Sequence, residues 1–136
     1  MDPVELHREV FLVNERFYQA FEQLNIKLMD QVWAQDERVQ CIHPGWERLT
    51  GWRAVRDSWV RIFNHTLSMK FTVTELHLTV HGGVAWIVCT ENIETEMDET
   101  IQKSRVVATN VFEYREGRWV MVHHHGSPVF SSPTES

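Results

Sequence analysis

Three histidines occupy positions where an imidazole could do chemistry. His43 ends a short apolar segment immediately before Pro44 and Gly45, and His123 and His125 lie two residues apart, on one face of an extended strand. Imidazoles in such places could transfer a proton or hydrogen-bond a ligand, or they could only bond to a neighbouring backbone group. We predict His125 as a catalytic group, and His43 and His123 as ligand contacts.

A metal site is the other chemistry that three histidines could support. A His-x-His pair with a third histidine suits zinc or iron. The sequence contains no second metal signature such as HExxH. We therefore expect neither a metal nor any other cofactor.

Two polar residues interrupt apolar faces of predicted strands. Glu91 continues the face formed by Ala85, Ile87 and Cys89, and Asn110 interrupts the apolar face of the next strand. A polar group on a covered face costs free energy unless it is hydrogen-bonded. Either the two side chains are paired within the structure, or they point into a cavity and meet a ligand. We predict Glu91 as a second catalytic group and Asn110 as a ligand contact.

Two tryptophans could supply apolar wall to the same cavity. Trp46 follows Pro44 and Gly45 on a loop, where an aromatic ring could cap the mouth of a pocket. Trp59 lies on the apolar face of a predicted helix. Tryptophans are more often core than ligand wall, but we predict both as ligand contacts.

The elements that must position these residues are predicted in the order α-α-β-α-β-β-β-β. Helices are expected over 4–24, 26–34 and from residue 52 to about 63, and strands over 38–43, 71–80, 84–94, 101–116 and 118–125. The apolar phase flips inside the strand 71–80, which predicts a β-bulge near Thr74 and Glu75. An acidic loop is expected over 95–100.

Helices followed by hairpin-connected strands indicate an α+β fold. We predict a curved antiparallel sheet wrapped over three N-terminal helices, a half-open, cone-shaped barrel of the cystatin-like kind that encloses a cavity. Residues 1–127 are expected to form a single domain, and residues 128–136 a polar C-terminal tail.

The last two long strands are apolar on both faces. Val107, Thr109 and Val111 share one face, opposite the face that carries Asn110. One face can cover the helices, and the other needs a partner, because exposed apolar patches mark interfaces. We predict a homodimer packed sheet to sheet through this outer face.

Composition excludes several classes of partner. The 136 residues carry 19 acids and 13 bases, a net charge of −6, which argues against binding a nucleic-acid backbone. No run approaches the ~20 apolar residues of a membrane span, and the acidic N-terminus lacks a secretory signal core. Cys41 and Cys89 lack a CxxC spacing and are expected to be free thiols in a reducing cytoplasm.

The chain resembles the SnoaL-like branch of the nuclear-transport-factor-2-like (NTF2-like) superfamily, and its end is similar also to the association domain of calmodulin-dependent kinase II. The resemblance rests on the segments CIHPG (41–45), LTGWRAV (49–55), SW (58–59), ATNVF (108–112), GRW (117–119) and VHHHGS (122–127). It implies a cone-shaped α+β barrel that is usually a homodimer. Members include polyketide cyclases, ketosteroid isomerases, dehydratases and proteins without catalysis.

One departure bears on the ligand. The kinase association domain looks as if it presents arginines in its cavity at the positions of Glu91 and Asn110, and this chain has none there. A neutral or weakly basic ligand is therefore expected rather than an anion. We predict a cavity that binds a small, largely apolar molecule. The alternative is a cofactor-independent isomerase, cyclase or dehydratase that uses histidine and glutamate as acid and base.

Overall fold

Each of the three helices begins at a recognisable local signal. In a computed structural model that describes residues 2–130, α1 spans Pro3–Glu22 and begins where the Asp2 carboxylate accepts a 3.0 Å hydrogen bond from the Val4 N–H. Helix α2 spans Ile26–Val32, and the Asn25 side chain caps it by accepting hydrogen bonds from the Lys27 and Leu28 N–H groups. No helix within this part of the chain is long and apolar enough to cross a membrane.

Helix α3 follows a glycine whose conformation is required. It spans Trp52–Asn64 and is preceded by Gly51, which has a φ of 90°. In this left-handed region a side chain would be strained. The Gly51 N–H donates a 2.8 Å hydrogen bond to the Val39 carbonyl, so this turn fixes α3 against the start of the sheet.

Six strands form one curved, unclosed sheet in the order β2-β1-β6-β5-β4-β3. The strands are β1 Gln40–Ile42, β2 Leu49–Thr50, β3 Ser68–His81, β4 Val84–Met97, β5 Thr100–Arg115 and β6 Arg118–Pro128. All neighbouring pairs are antiparallel except β1 and β6, which run parallel. The α+β prediction is confirmed. Strand β2 was missed because two residues are too short to show an alternating pattern.

The predicted bulge in β3 is present. The register between β3 and β4 shifts between Thr74 and His77, and Glu75 adopts a φ of 53°. The change of apolar phase in the sequence therefore predicted the bulge correctly. Because of the bulge, the apolar residues on both sides of it all pack against the core: Phe71, Val73, Leu76, Leu78 and Val80.

The predicted acidic loop over 95–100 is wrong. Strand β4 continues to Met97 and β5 begins at Thr100, so only Asp98 and Glu99 form the turn. The acidic residues did not end the strands, because β3, β4 and β5 stay paired as far as Glu96 and the exposed Glu94 projects into solvent. There, Lys103 forms a salt bridge of 3.6 Å with Glu94.

At the predicted domain boundary, β6 reaches Pro128 and the Val129 N–H donates to the Arg105 carbonyl, at 2.9 Å. Residues 131–136 of the predicted tail lie outside the described residues.

Aromatic side chains fill the centre of the cone. The Trp59 ring, fully buried, contacts Phe17 at 5.6 Å and Phe21 at 4.7 Å between ring centroids. Each is an edge-to-face contact of the kind that aromatic pairs prefer. This packing, rather than an open hollow, joins α1 and α3 beneath the sheet.

Candidate functional site

A chain of buried polar side chains runs from the sheet to helix α1. Glu91 on β4 and Asn110 on β5 are both buried, as the alternation of their strands predicts. They do not bond to each other. Instead, both bond to Tyr18 on α1, whose hydroxyl lies 2.6 Å from Glu91 Oε2 and 3.2 Å from Asn110 Nδ2.

The chain extends beyond Asn110 in two directions. Asn110 Nδ2 also lies 2.8 Å from the Oδ1 atom of Asn14, one turn before Tyr18 on α1. Asn110 Oδ1 lies 2.5 Å from Nδ1 of His124, on β6. Hydrogen bonds thus join five buried polar side chains from four elements, as the low dielectric of the interior favours.

The Glu91 carboxyl is poised to change charge near neutral pH. Burial raises its pKa to about 7, although the hydrogen bond from Tyr18 opposes the rise. Burial also raises the pKa of the Tyr18 hydroxyl, and the charge of Glu91 adds to that effect. A carboxyl with a pKa near the working pH can give up or take up a proton at little cost.

The histidine of β6 that points into the interior is His124, not the predicted His123 and His125. His124 is buried in the polar chain, whereas His125 is exposed and His123 half-buried, both on the outer face. The register between β5 and β6 shifts here: Phe112 pairs with Met121, but Val111 pairs with His123. The extra residue reverses the alternation of faces along β6. The proposed roles of His123 and His125 stay predictions, now on the opposite face.

His43 is buried beside α3 rather than open to a ligand. Its Nε2 lies 2.8 Å from Ser58 Oγ, and Ser58 donates its own proton to the Val55 carbonyl at 2.6 Å. His43 Nε2 is therefore the donor to Ser58. Burial lowers the pKa of His43 to about 4, so the ring is neutral at physiological pH.

The two predicted tryptophans flank His43 at different depths. The His43 ring lies 4.6 Å from Trp59 and 4.8 Å from Trp46 between centroids. Trp59 belongs to the core, whereas Trp46 is 36% exposed and has the Arg61 guanidinium 5.6 Å from its ring. The structure brings these three residues together, and of the three only Trp46 faces solvent.

A groove of about 390 Å³ between α1 and β3 reaches the polar chain. Asn14 and Tyr18 lie on its floor, and Phe11, Phe71, Val73 and Leu76 supply apolar walls. A larger hollow of about 610 Å³ lies elsewhere, among exposed or half-buried residues such as Lys70 and Glu94. No buried polar group faces that hollow among the residues described, so the α1–β3 groove is the candidate site.

Sequence reasoning missed Asn14, Tyr18 and His124. Asn14 interrupts the buried face of α1 between Val10 and Phe17, the same signal that identified Glu91 and Asn110 on strands. A search for polar residues on apolar helix faces would have found it. Among residues 2–130, no three His, Cys, Asp or Glu side chains are grouped so that they could hold a metal ion.

The fold and the buried polar chain define an NTF2-like α+β domain. A family model described as a SnoaL-like domain matches residues 10–131. The chain belongs to this SnoaL-like family, which comprises ligand-binding and isomerase or dehydratase proteins.

Solved structures agree with this assignment. A proposed dehydratase of the NTF2-like family from Streptomyces avermitilis is 33% identical with a TM-score of 0.90, over 96% of this chain and 100% of that one. A proposed calcium/calmodulin-dependent protein kinase type II association domain from Thiobacillus denitrificans is also 33% identical, with a TM-score of 0.78, over 87% and 93% of the two chains.

One curated relative is longer than this chain. F-box protein SKIP8 of Arabidopsis thaliana is 29% identical over 120 residues, which are 88% of this chain and 49% of that protein. The chain therefore spans about half the length of this relative.

Proposed function

We propose that the groove between α1 and β3 binds a small, largely apolar molecule. The observation that carries the proposal is the buried polar chain that reaches the groove floor through Asn14 and Tyr18. Ligand sites combine apolar walls with a few fixed polar groups, and this groove has both.

The charge of the groove favours a neutral or weakly basic ligand. Glu15 and Glu22 lie among its lining residues, and the described part of the lining contains no lysine or arginine. Behind the floor lies the Glu91 carboxyl. An anion would meet only like charge here, at a cost that increases as water is excluded.

Probe binding tests this proposal. Titration calorimetry with 2-acetylnaphthalene should give saturable binding, with 2-naphthoate at least tenfold weaker. Phe11→Ala removes a groove wall that is 39% exposed, so it should weaken binding about fivefold, the effect of roughly 1 kcal/mol of lost apolar contact.

Val4→Ala is the matched control, because Val4 lies on the same helix outside the groove lining and is exposed. Equal affinity for the ketone and the naphthoate, or equal losses in the two variants, would contradict the proposal.

A second candidate function is proton transfer to a bound carbonyl compound, as in an isomerase, cyclase or dehydratase. The observation that favours it is the Glu91 carboxyl, with a pKa of about 7, joined by a 2.6 Å hydrogen bond to a hydroxyl on the groove floor. Similarity to a proposed dehydratase supports the same class of chemistry. In this proposal Tyr18 meets the ligand, and Glu91 exchanges protons through it.

The outer sheet face is proposed as a homodimer interface. Trp86 and Val107 are 37% and 40% exposed there, and Val111 pairs directly with Trp86 across the strands. On the next strand, His123 pairs with Val111 and His125 lies beside it. Exposed apolar residues on neighbouring strands of one sheet face are the kind of surface that a second copy covers.

Val107→Glu should convert the dimer into a monomer. A carboxylate at the centre of an isologous apolar interface meets its own symmetry mate and loses its water. Light scattering coupled to gel filtration measures the mass. Val4→Glu, on α1 and 74% exposed, is the control and should stay dimeric. A monomeric parent protein, or a dimeric Val107→Glu variant, would remove this interface.

We also propose a reducing compartment such as the cytoplasm. Cys41 and Cys89 are both buried and free. Unpaired cysteines are typical of compartments that keep thiols reduced.

A further inference from the structure

We propose that Asn14 selects the polar group of the ligand, donating a hydrogen bond to a neutral carbonyl oxygen. The ligand class would then be a largely apolar ketone, ester or amide. The inference rests on the proposed ligand-binding function of the groove and adds the residue that hydrogen-bonds the polar group of the ligand.

The direction of the hydrogen-bond chain starts at Glu91. Above about pH 7 the Glu91 carboxyl is ionised and only accepts hydrogen bonds, so the single proton of the Tyr18 hydroxyl then points to Glu91 Oε2. The Tyr18 oxygen must then accept from Asn110, which places Asn110 Nδ2 toward α1. Asn110 Oδ1 faces His124 and accepts from its Nδ1–H.

This direction determines how Asn14 is oriented. Because Asn110 Nδ2 is a donor, the Asn14 atom 2.8 Å from it must be the acceptor Oδ1. The Nδ2 group of Asn14 consequently points away from the buried chain. Asn14 is only 1% exposed, yet its Nδ2 has no hydrogen-bond partner among residues 2–130.

The free amide group opens into the groove. Asn14 lines the groove floor, and its Nδ2 keeps some accessible surface. In the described chain, the side-chain nitrogens that are fully enclosed and lack a partner are those of Trp33, Trp59 and Trp119. An unpaired donor at the bottom of an apolar groove favours a ligand that brings an acceptor.

The surroundings decide which acceptor fits. A carboxylate would accept well from Asn14 but would face Glu15 at the rim and Glu91 behind the floor. A protonated amine offers no acceptor at all. A neutral carbonyl satisfies the donor without a charge conflict.

A matched pair of probes tests the inference. 2-Acetylnaphthalene and 2-ethylnaphthalene have nearly the same shape and differ in the carbonyl oxygen. The parent protein should bind the ketone about fivefold more tightly, the usual effect of one neutral hydrogen bond. Asn14→Leu should bind both compounds equally, with the affinity for 2-ethylnaphthalene retained.

Two further variants keep the result interpretable. Gln19→Leu removes an exposed amide from the same groove and should keep the fivefold preference. Asn14→Asp keeps the acceptor for Asn110 but has no N–H, so it should lose the preference, and it decides the matter if Asn14→Leu does not fold.

The possible failures are distinguishable. Equal binding of the two naphthalenes by the parent protein, or a preference that survives Asn14→Asp, overturns the role of Asn14 and leaves groove binding standing. If Gln19→Leu loses the preference and the Asn14 variants keep it, the donor is Gln19 and not Asn14. Failure of both compounds to bind removes the proposed function itself.

Discussion

The free energy of unfolding of Glu91→Gln, minus that of the parent protein, is expected to increase by about 3 kcal/mol as the pH is raised from 4 to 8. Burial raises the pKa of this carboxyl from 4.5 to about 7, so the folded state keeps a proton that the unfolded state has lost. The carboxyl therefore destabilises the fold progressively as pH rises from 4.5 to about 7. Each pH unit corresponds to about 1.4 kcal/mol.

The difference between variants is the quantity to measure, because buried histidines act in the opposite sense. Burial lowers the pKa of His43 to about 4 and that of His124 well below its usual value. Their contribution is lost as pH falls, when the unfolded state binds protons that the folded state refuses. The stability of the parent protein alone would mix these opposing slopes.

Urea unfolding at a series of pH values gives the required curves. Glu94→Gln, on the same strand with an exposed carboxyl, controls for the loss of one negative charge. Parallel curves for the parent protein and Glu91→Gln would show that the buried carboxyl does not hold its proton to neutral pH.

The second large effect is expected on catalysis. Bound 2-acetylnaphthalene should exchange its methyl protons with deuterium oxide faster than in buffer, and Glu91→Gln and Tyr18→Phe should each slow this exchange about 100-fold or more. Tyr18 takes a proton from the methyl carbon while passing its own to the Glu91 carboxylate, and the electron pair moves to the carbonyl oxygen. The reverse steps return a deuteron from solvent.

The pH profile separates this role of Glu91 from a structural one. Exchange by the parent protein should rise with pH through about 7, because only the carboxylate accepts the proton. The profile of Glu91→Gln should lack that rise, and Glu94→Gln should match the parent protein. Exchange no faster than in buffer would eliminate proton transfer and leave ligand binding.

Regular alternation explains why the inward positions of Glu91 and Asn110 could be predicted. Strand β4 places Ala85, Ile87 and Cys89 on the buried face without interruption, and β5 is regular from Val106 to Phe112. The bulge in β3 was also predictable, since its apolar residues change phase within one strand.

The bulge in β6 left no such trace. Val120, Met121 and Val122 are all apolar, so either phase fits the sequence and the shift is invisible. The histidines beyond it were consequently assigned to the wrong face.

The sequence also could not show whether an inward-facing side chain lies in the packed core or at the surface of a cavity. The helical period places Trp59 on the inner face of α3, but only the summed volume of the facing rings decides whether that interior is open. In the structure Phe17 and Phe21 occupy the space, so Trp59 is core and the accessible surface lies at the α1–β3 groove.

The parallel pairing of β1 with β6 has a consequence for how the chain reaches its native state. Cys41 lies beside His124, so two segments more than eighty positions apart must meet before the edge of β6 that faces away from β5 is paired. Contacts this distant form late and make folding slow. On the ribosome, β1 therefore lacks this partner strand until the final hairpin emerges.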